Sequence, residues 1–249
     1  QAMILAGVAK GVAASARRLG APVEAEFAHP AASFRVWRKG LRLHQWAKNV
    51  LVFVPLLLSG RYTDPSAVGL SLAAFLTLGL VASATYLVND LSDLASDRRH
   101  VTKRRRPLAS GDLRIEQAAA AVPSLLLAGV LIALFVSPAL LLGLACYGVL
   151  TLAYTFRLKR LALIDVVTLA VLYTIRILIG TAILGVEPSI WLLTFSLFFF
   201  FSISLAKRYA EIRNTEGERR ALGGRGYRTD DGPAVLALGV ATSIAAVQV

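Results

Sequence analysis

This sequence predicts an all-α protein, a polytopic bundle of transmembrane helices. Three observations carry the prediction. Hydrophobic residues make up 56% of the chain and the mean hydropathy is +0.64, well beyond an ordinary soluble domain. They gather into seven runs, at about residues 49–60, 67–88, 117–136, 138–156, 162–185, 188–206 and 233–249. Most of these approach the roughly 20 residues that a helix needs to cross a bilayer. Basic residues also alternate between the connections, with five in 35–48, one in 60–66, seven in 89–116, none in 137–140, three in 157–161, none in 186–190 and seven in 207–232.

That alternation predicts the topology. By the positive-inside rule the N-terminus and the loops at 89–116, 157–161 and 207–232 face the cytoplasm, and the short connections marked by Pro65, Pro138 and Pro188 face the other side. The expected location is therefore the plasma (inner) membrane, crossed many times. The net charge of +12 is accounted for by these loops, so nucleic acid is not expected as a partner. The single Cys146 lies in an apolar run and excludes both an intrachain disulfide and a cysteine metal cluster.

Residues 1–34 are Ala-rich with scattered charges and hold no run long enough to cross, so they read as a cytoplasmic segment preceding a transmembrane domain at 35–249. Residues 34–49, FRVWRKGLRLHQWAKN, suit an interfacial helix, with Trp37 and Trp46 at headgroup level. Snorkelling explains Arg35, Arg38 and Lys39. It explains less well Arg42, Gln45, Trp46, Lys48 and Asn49, which lead straight into the first run, one so short that it must borrow these amphipathic turns; Arg42, Gln45, Lys48 and Asn49 are candidate ligand-binding residues.

The second run ends in YLVNDLSDLASDRRHVTKRRRP, residues 86–107. If the helix continues to Asp97, residues Asp90, Asp93 and Asp97 project within roughly 60° of one another, with Asn89 on the flank. Such a face needs a cation, and hard oxygen ligands suit Mg²⁺. A helix end carrying solvated charges is the plainer reading. The metal reading gains from the position of the acids at the end of a membrane run, and from Lys103, Arg104 and Arg106, which could meet phosphate oxygens.

Later loops carry similar chemistry. Tyr154, Arg157, Lys159 and Arg160 precede Asp165, and Arg176 lies deep in an apolar run, where an arginine normally faces the bundle interior with a partner. Asp165 is about 16 Å from it along a helix axis, so another helix is expected to supply that partner. Lys207 and Glu211, flanking Arg208, form either an i,i+4 ion pair or a second half-site facing the aspartates. Residues 213–232 read as a flexible Gly-rich loop, not a dinucleotide fingerprint.

Asn89-x-x-x-Asp93-x-x-x-Asp97 resembles the first aspartate-rich motif of the UbiA-type intramembrane prenyltransferases. The flanks LRLHQWAKNVLVFVPL (41–56), YLVNDLSDLASDRRH (86–100), KRRRPLASG (103–111) and KRYAE (207–211) resemble its polyprenyl-phosphate phosphoribosyltransferase branch. The resemblance implies a nine-span bundle, of which seven are visible here, around a Mg²⁺-diphosphate cavity. Asn89, Asp90, Asp93 and Asp97 would be the catalytic and metal-binding set. Arg42, Gln45, Lys48, Asn49, Lys103, Arg104, Arg106, Tyr154, Lys159, Arg176, Lys207, Arg208 and Glu211 would meet the substrates. The implied reaction moves a phosphoribosyl group from phosphoribosyl pyrophosphate to a polyprenyl phosphate, releasing pyrophosphate. The alternative within the family moves a prenyl group from a prenyl diphosphate to an aromatic or lipid acceptor; a cation transporter or membrane scaffold is the reading from another class. One departure stands out: the family's second Asp-x-x-x-Asp motif is replaced here by Lys207 and Glu211. Residues 1–30 resemble the tail of a haloacid-dehalogenase-type phosphatase domain that precedes some bacterial members.

Overall fold

A computed structural model of the chain describes residues 3–6, 10–18, 22–27, 32–214 and 226–249. The glycine-rich part of the 213–232 loop, with Gly223 and Gly224, lies outside them.

The first segment departs from the all-α expectation. Strand β1 (Met3–Ala6), helix α1 (Lys10–Arg18) and strand β2 (Val23–Phe27) form a small unit in which the two strands pair in parallel. Val-Glu-Ala-Glu-Phe alternates apolar and acidic residues with period two, a strand signal that the Ala-rich composition around it obscures. Parallel strands need a crossover between them, and α1 supplies it.

Helix α2 (Phe34–Gly40) starts on Ser33, whose hydroxyl accepts from the Val36 N–H, and stops nine residues before the interfacial helix expected to reach Asn49. The chain turns at Arg42, where φ is 51°, and enters an 11-residue 3₁₀ helix, Leu43–Phe53, that runs on into α3 (Val54–Leu58). The short apolar run at about 49–60 thus continues a helical segment that begins at Leu43, borrowing the turns before it. A 3₁₀ helix rises about 2.0 Å per residue, so Leu43–Leu58 reaches about 30 Å, the thickness of the hydrocarbon core, with fewer residues than an α-helix needs.

Six helices among the described residues are long and apolar enough to cross a membrane. The first, α4 (Pro65–Ser92), is capped by Asp64, which accepts from the Ser66 N–H at 2.9 Å, and is followed by two short pieces, α5 (Leu94–Arg99) and α6 (Pro107–Ser110). The others are α7 (Ile115–Val136), α8 (Pro138–Phe156), α9 (Ile164–Leu184), α10 (Ile190–Asn214) and Thr229–Gln248, a 3₁₀ turn continuing into α11 (Gly232–Gln248). With the shorter Leu43–Leu58, every predicted run is accounted for, and the chain is a multi-pass membrane protein.

Helices α4 and α9 are the most buried and form the centre. Leu127, Leu131, Leu134 and Phe135 of α7 point outward, as lipid-facing residues do. Two glycines let the Leu43–Leu58 segment approach both central helices. A Cβ at Gly79 would lie 2.6 Å from the Trp46 ring, and one at Gly180 would strike the Val52 carbonyl and the Pro55 ring. Close backbone approach through small residues is how helices associate in lipid. Trp46 is then fixed by its Nε1–H, which donates to Ser83 Oγ at 3.0 Å, while Ser83 donates to the Leu41 carbonyl at 2.8 Å.

Three spans, α7, α8 and α9, separate Ser110 from Ser189. Single cysteines introduced at these positions in a Cys146→Ser background are expected to react with an impermeant maleimide from opposite faces of sealed vesicles, Ser110 from the cytoplasmic one; labelling from one face would refute the topology.

Candidate active site

The polar end of α4 is where the sequence and the structure differ most. The helix breaks at Asp93, whose φ of −91° and ψ of 3° lie between α4 and α5, although the flanking bonds Asp93 N–H to Asn89 O and Asp97 N–H to Asp93 O persist at 2.9 and 2.8 Å. The single carboxylate face expected of an unbroken helix is therefore split. Asp90 and Asp97 are buried, and each is met by arginine: Arg106 donates to Asp97 Oδ2 at 2.6 Å and to Asp90 Oδ1 at 3.1 Å, and Arg42 donates to the same Asp90 oxygen. Buried carboxylates of like charge require such compensation. Asn89 and Asp93 instead face a cavity, where the Lys159 ammonium stands 3.5 Å from Asn89 Oδ1 and 3.8 Å from Asp93 Oδ2.

That cavity has a volume of about 750 Å³. One wall comes from α4 and α5, with Thr85, Tyr86, Asn89, Asp93 and Ser96, and another from α8, with Tyr147, Thr151, Tyr154 and Thr155. Leu169, Leu172, Tyr173 and Arg176 of α9 form a third. Arg42, Lys48, Lys103, Arg106, Lys159 and Arg160 complete it, so among the described residues seven basic side chains and one carboxylate, that of Asp93, line the cavity, while Arg42 and Arg106 also pair with Asp90 and Asp97. A concave site so charged concentrates anions.

Arg176 is held from other elements, as expected, but not by a carboxylate. Its Nε donates to Asn49 Oδ1 at 3.0 Å, one terminal nitrogen donates to the Tyr147 hydroxyl at 3.0 Å, and the other to the Leu172 carbonyl. Its guanidinium lies 4.9 Å from the centroid of Tyr147 and 5.5 Å from that of Tyr173, and Lys48 Nζ lies 5.9 Å from Tyr173. Cation–π contacts of this kind hold a charge in place without neutralising it. Among the described residues neither Lys48 nor Arg176 forms a salt bridge.

The 207–211 cluster does not reach the cavity wall. Arg208 is buried, donating to Asp165 Oδ2 at 2.7 Å and to Glu211, so Glu211 pairs at i,i+3 with Arg208 while Lys207 stands exposed. Burial selects arginine here, because its several donors can satisfy two carboxylates at once. Tyr227 completes this group by donating to Asp165 Oδ1 at 2.7 Å; burial, then that hydrogen bond, pushes its hydroxyl above the ordinary tyrosine range and keeps it a neutral donor. The Tyr154 hydroxyl, on the cavity wall, lies against Arg208 and links the two sites. Gln45 bonds His44 at 3.0 Å, and Arg104 is exposed; neither lines the cavity.

Sequence reasoning missed Tyr86, Ser96, Tyr147, Thr151, Thr155, Tyr173 and Tyr227. Four of the cavity residues were detectable: Tyr147, Thr151, Tyr154 and Thr155 recur at i, i+4, i+7 and i+8, a polar stripe along an otherwise apolar helix.

Among the described residues no three His, Cys, Asp or Glu side chains converge on one point, and Arg42 and Arg106 engage Asp90 and one oxygen of Asp97. The remaining Asp97 oxygen, Oδ1, is buried without a hydrogen-bond partner. Asn89, Asp93 and Asp97 offer oxygen donors only, of which Asn89 and Asp93 line the cavity and Asp97 is buried and does not. This fits Mg²⁺, which is commonly bound through one or two carboxylates plus substrate phosphate.

Fold and site together define a polytopic membrane protein whose bundle encloses a cationic, tyrosine-lined cavity with an acidic motif on one wall. The chain belongs to the UbiA prenyltransferase family, whose profile matches residues 50–245. It is 41% identical over 243 residues to protein y4nM of Sinorhizobium fredii, covering 96% of this chain and 47% of that one. It is 35% identical over 215 residues to nodulation protein NoeC of Azorhizobium caulinodans, covering 86% and 70%. It is also 35% identical over 182 residues to decaprenyl-phosphate phosphoribosyltransferase of Mycobacterium tuberculosis, covering 72% and 60%. The chain thus spans about half the length of y4nM. The fold matches that of a UbiA homologue from Archaeoglobus fulgidus bound to GPP and Mg²⁺, with a TM-score of 0.66 at 17% identity over 85% of this chain and 75% of that one.

Proposed function

We propose that the chain is a membrane-embedded, Mg²⁺-dependent transferase that moves a phosphoribosyl group from phosphoribosyl pyrophosphate to a polyprenyl phosphate. The carrying observation is the excess of cations in the cavity: among the described residues seven basic side chains line it, and with Asp93 in the lining and Asp90 and Asp97 paired to Arg42 and Arg106 all counted against them, four positive charges remain uncompensated. A prenyl diphosphate brings one charged head, whereas phosphoribosyl pyrophosphate brings a diphosphate and a separate 5-phosphate, and the lipid acceptor brings a third anion. The 35% identity to a decaprenyl-phosphate phosphoribosyltransferase supports the same reading.

In this reading Asn89, Asp93 and Asp97 hold the metal, which when bound supplies charge neutralisation on the leaving diphosphate. Lys103, Lys159 and Arg160 meet donor phosphates. Arg42, Lys48 and Arg176, set among Tyr86, Tyr147 and Tyr173, receive the acceptor phosphate. The bond from ribose C1 to the pyrophosphate oxygen breaks and a bond from C1 to an acceptor phosphate oxygen forms. That oxygen is already anionic, so no second catalytic carboxylate is needed, consistent with Lys207 and Glu211 in place of one. The mouth opens to the cytoplasmic side of the plasma membrane, where the seven basic residues of the 89–116 loop lie in the topology read from the sequence.

Prenyl transfer is the second reading, favoured by the resemblance of the fold to a homologue bound to GPP and Mg²⁺. Incubating purified protein in lipid discs with ribose-labelled phosphoribosyl pyrophosphate and a polyprenyl phosphate is expected to give a lipid-extractable label, abolished by EDTA. Consumption of a prenyl diphosphate with no reaction of phosphoribosyl pyrophosphate would overturn the first reading in favour of the second.

A further inference from the structure

The connection from α8 to α9 brings Lys159 and Arg160 to the cavity, and it ends in a conformation that leucine disfavours. Leu163 has φ 63° and ψ −42°, and the Ile164 N–H bonds the Ala162 carbonyl at 2.8 Å, which makes residues 162–164 a γ-turn of the strained, positive-φ kind. Such a residue persists only where its surroundings over-determine it.

Here the surroundings come from far along the chain. The Tyr227 hydroxyl accepts the Leu163 N–H at 2.9 Å and donates to Asp165 Oδ1 at 2.7 Å, so one buried group bridges the turn and the first turn of α9. Its neighbour Gly226 lies against the same loop; a Cβ there would come within 2.7 Å of the Arg160 carbonyl oxygen and 2.9 Å of the Ala162 nitrogen. Both are backbone atoms, which cannot swing aside as a side chain can. Asp165 is in turn anchored by Arg208 of α10, and Lys159 reaches across to Asn89 and Asp93 of the acidic motif.

We propose that Tyr227, seated by Gly226, is a positioning residue: it clamps the strained turn at Leu163 and so holds Lys159 and Arg160 at the cavity wall opposite Asn89 and Asp93. The functional half of this proposal, that the two cations meet donor phosphate, rests on the proposed transferase reading. The clamp itself does not.

The test is Tyr227→Phe, which keeps the buried ring and deletes both hydrogen bonds. Hydrogen–deuterium exchange in lipid discs is expected to rise about tenfold at the Leu163 amide and its loop, with the interior of α9 unchanged. Gly226→Ala, which keeps the hydroxyl but displaces the loop backbone, is expected to give the same local signature, so a folding defect peculiar to one variant cannot mimic the result. Binding of inorganic pyrophosphate with Mg²⁺ is expected to weaken several-fold in Tyr227→Phe, and KM for phosphoribosyl pyrophosphate to rise more than kcat falls. In a Lys159→Gln/Arg160→Gln background the same substitution should add nothing further. Unchanged exchange at Leu163 in both variants would overturn the clamp, and an undiminished effect of Tyr227→Phe in that background would overturn its action through the two cations. If the native protein binds no pyrophosphate at all, the transferase reading and the action through the cations fall together, while the exchange measurement still decides the clamp.

Discussion

Asp93→Asn is expected to lower the rate of phosphoribosyl transfer by about 10²–10³-fold, the usual cost of deleting one electrostatic group aimed at a reacting centre. Asp93 is, among the described residues, the acidic side chain that lines the cavity, it is partly exposed, and its side chain caps neither α4 nor α5. Its replacement should therefore change stability by no more than about 0.5 kcal/mol. Asp97→Asn should be equally inactive but less stable, because Arg106 would keep its place beside a buried amide in place of a carboxylate. The labelled-lipid assay, run beside thermal unfolding of the same samples, separates the two effects. Near-normal Mg²⁺-dependent turnover in Asp93→Asn would remove it from the site.

The largest stability effect is expected at Asp165, where neither the carboxylate nor its partner touches solvent: the side chains are 0% exposed for Asp165 and 2% for Arg208. Asp165→Asn leaves a buried guanidinium without its main counter-charge, which should cost about 3–5 kcal/mol. It also weakens the acceptor that orients Tyr227. Thermal unfolding in detergent should show the loss directly. The pair variant Asp165→Leu with Arg208→Met should be less destabilised than Asp165→Asn, since deleting both charges removes the desolvation penalty along with the attraction. Equal stability of Asp165→Asn and the native protein would show that this pair does not hold α9 to α10.

Membrane crossing was legible because the bilayer imposes it residue by residue: the run at 138–156 is the helix Pro138–Phe156, and the run at 117–136 differs from Ile115–Val136 by one turn or less. The acidic motif, its neighbouring cations and the need of Arg176 for a partner from another element were legible for the same reason, since ionisable groups beside lipid stand out. The strands at Met3–Ala6 and Val23–Phe27 were not, being short and set in Ala-rich sequence.

The number and order of the apolar segments, the alternation of basic loops and the family motif running from the end of α4 into α5 could all be read from the sequence. Packing set the partner of each charge: arginine for Asp90 and Asp97, and Lys159 for Asp93. Asp90 and Asp97 look equivalent to Asp93 in spacing, yet Arg42 and Arg106 engage them, and Arg208, not Lys207, takes Glu211. The physical reason is that a charge in a low-dielectric bundle is governed by partners within a few ångströms, and those partners arrive from segments such as Arg42 and Asp90, 48 positions apart, or Arg208 and Asp165, 43 apart, whose proximity no local periodicity encodes.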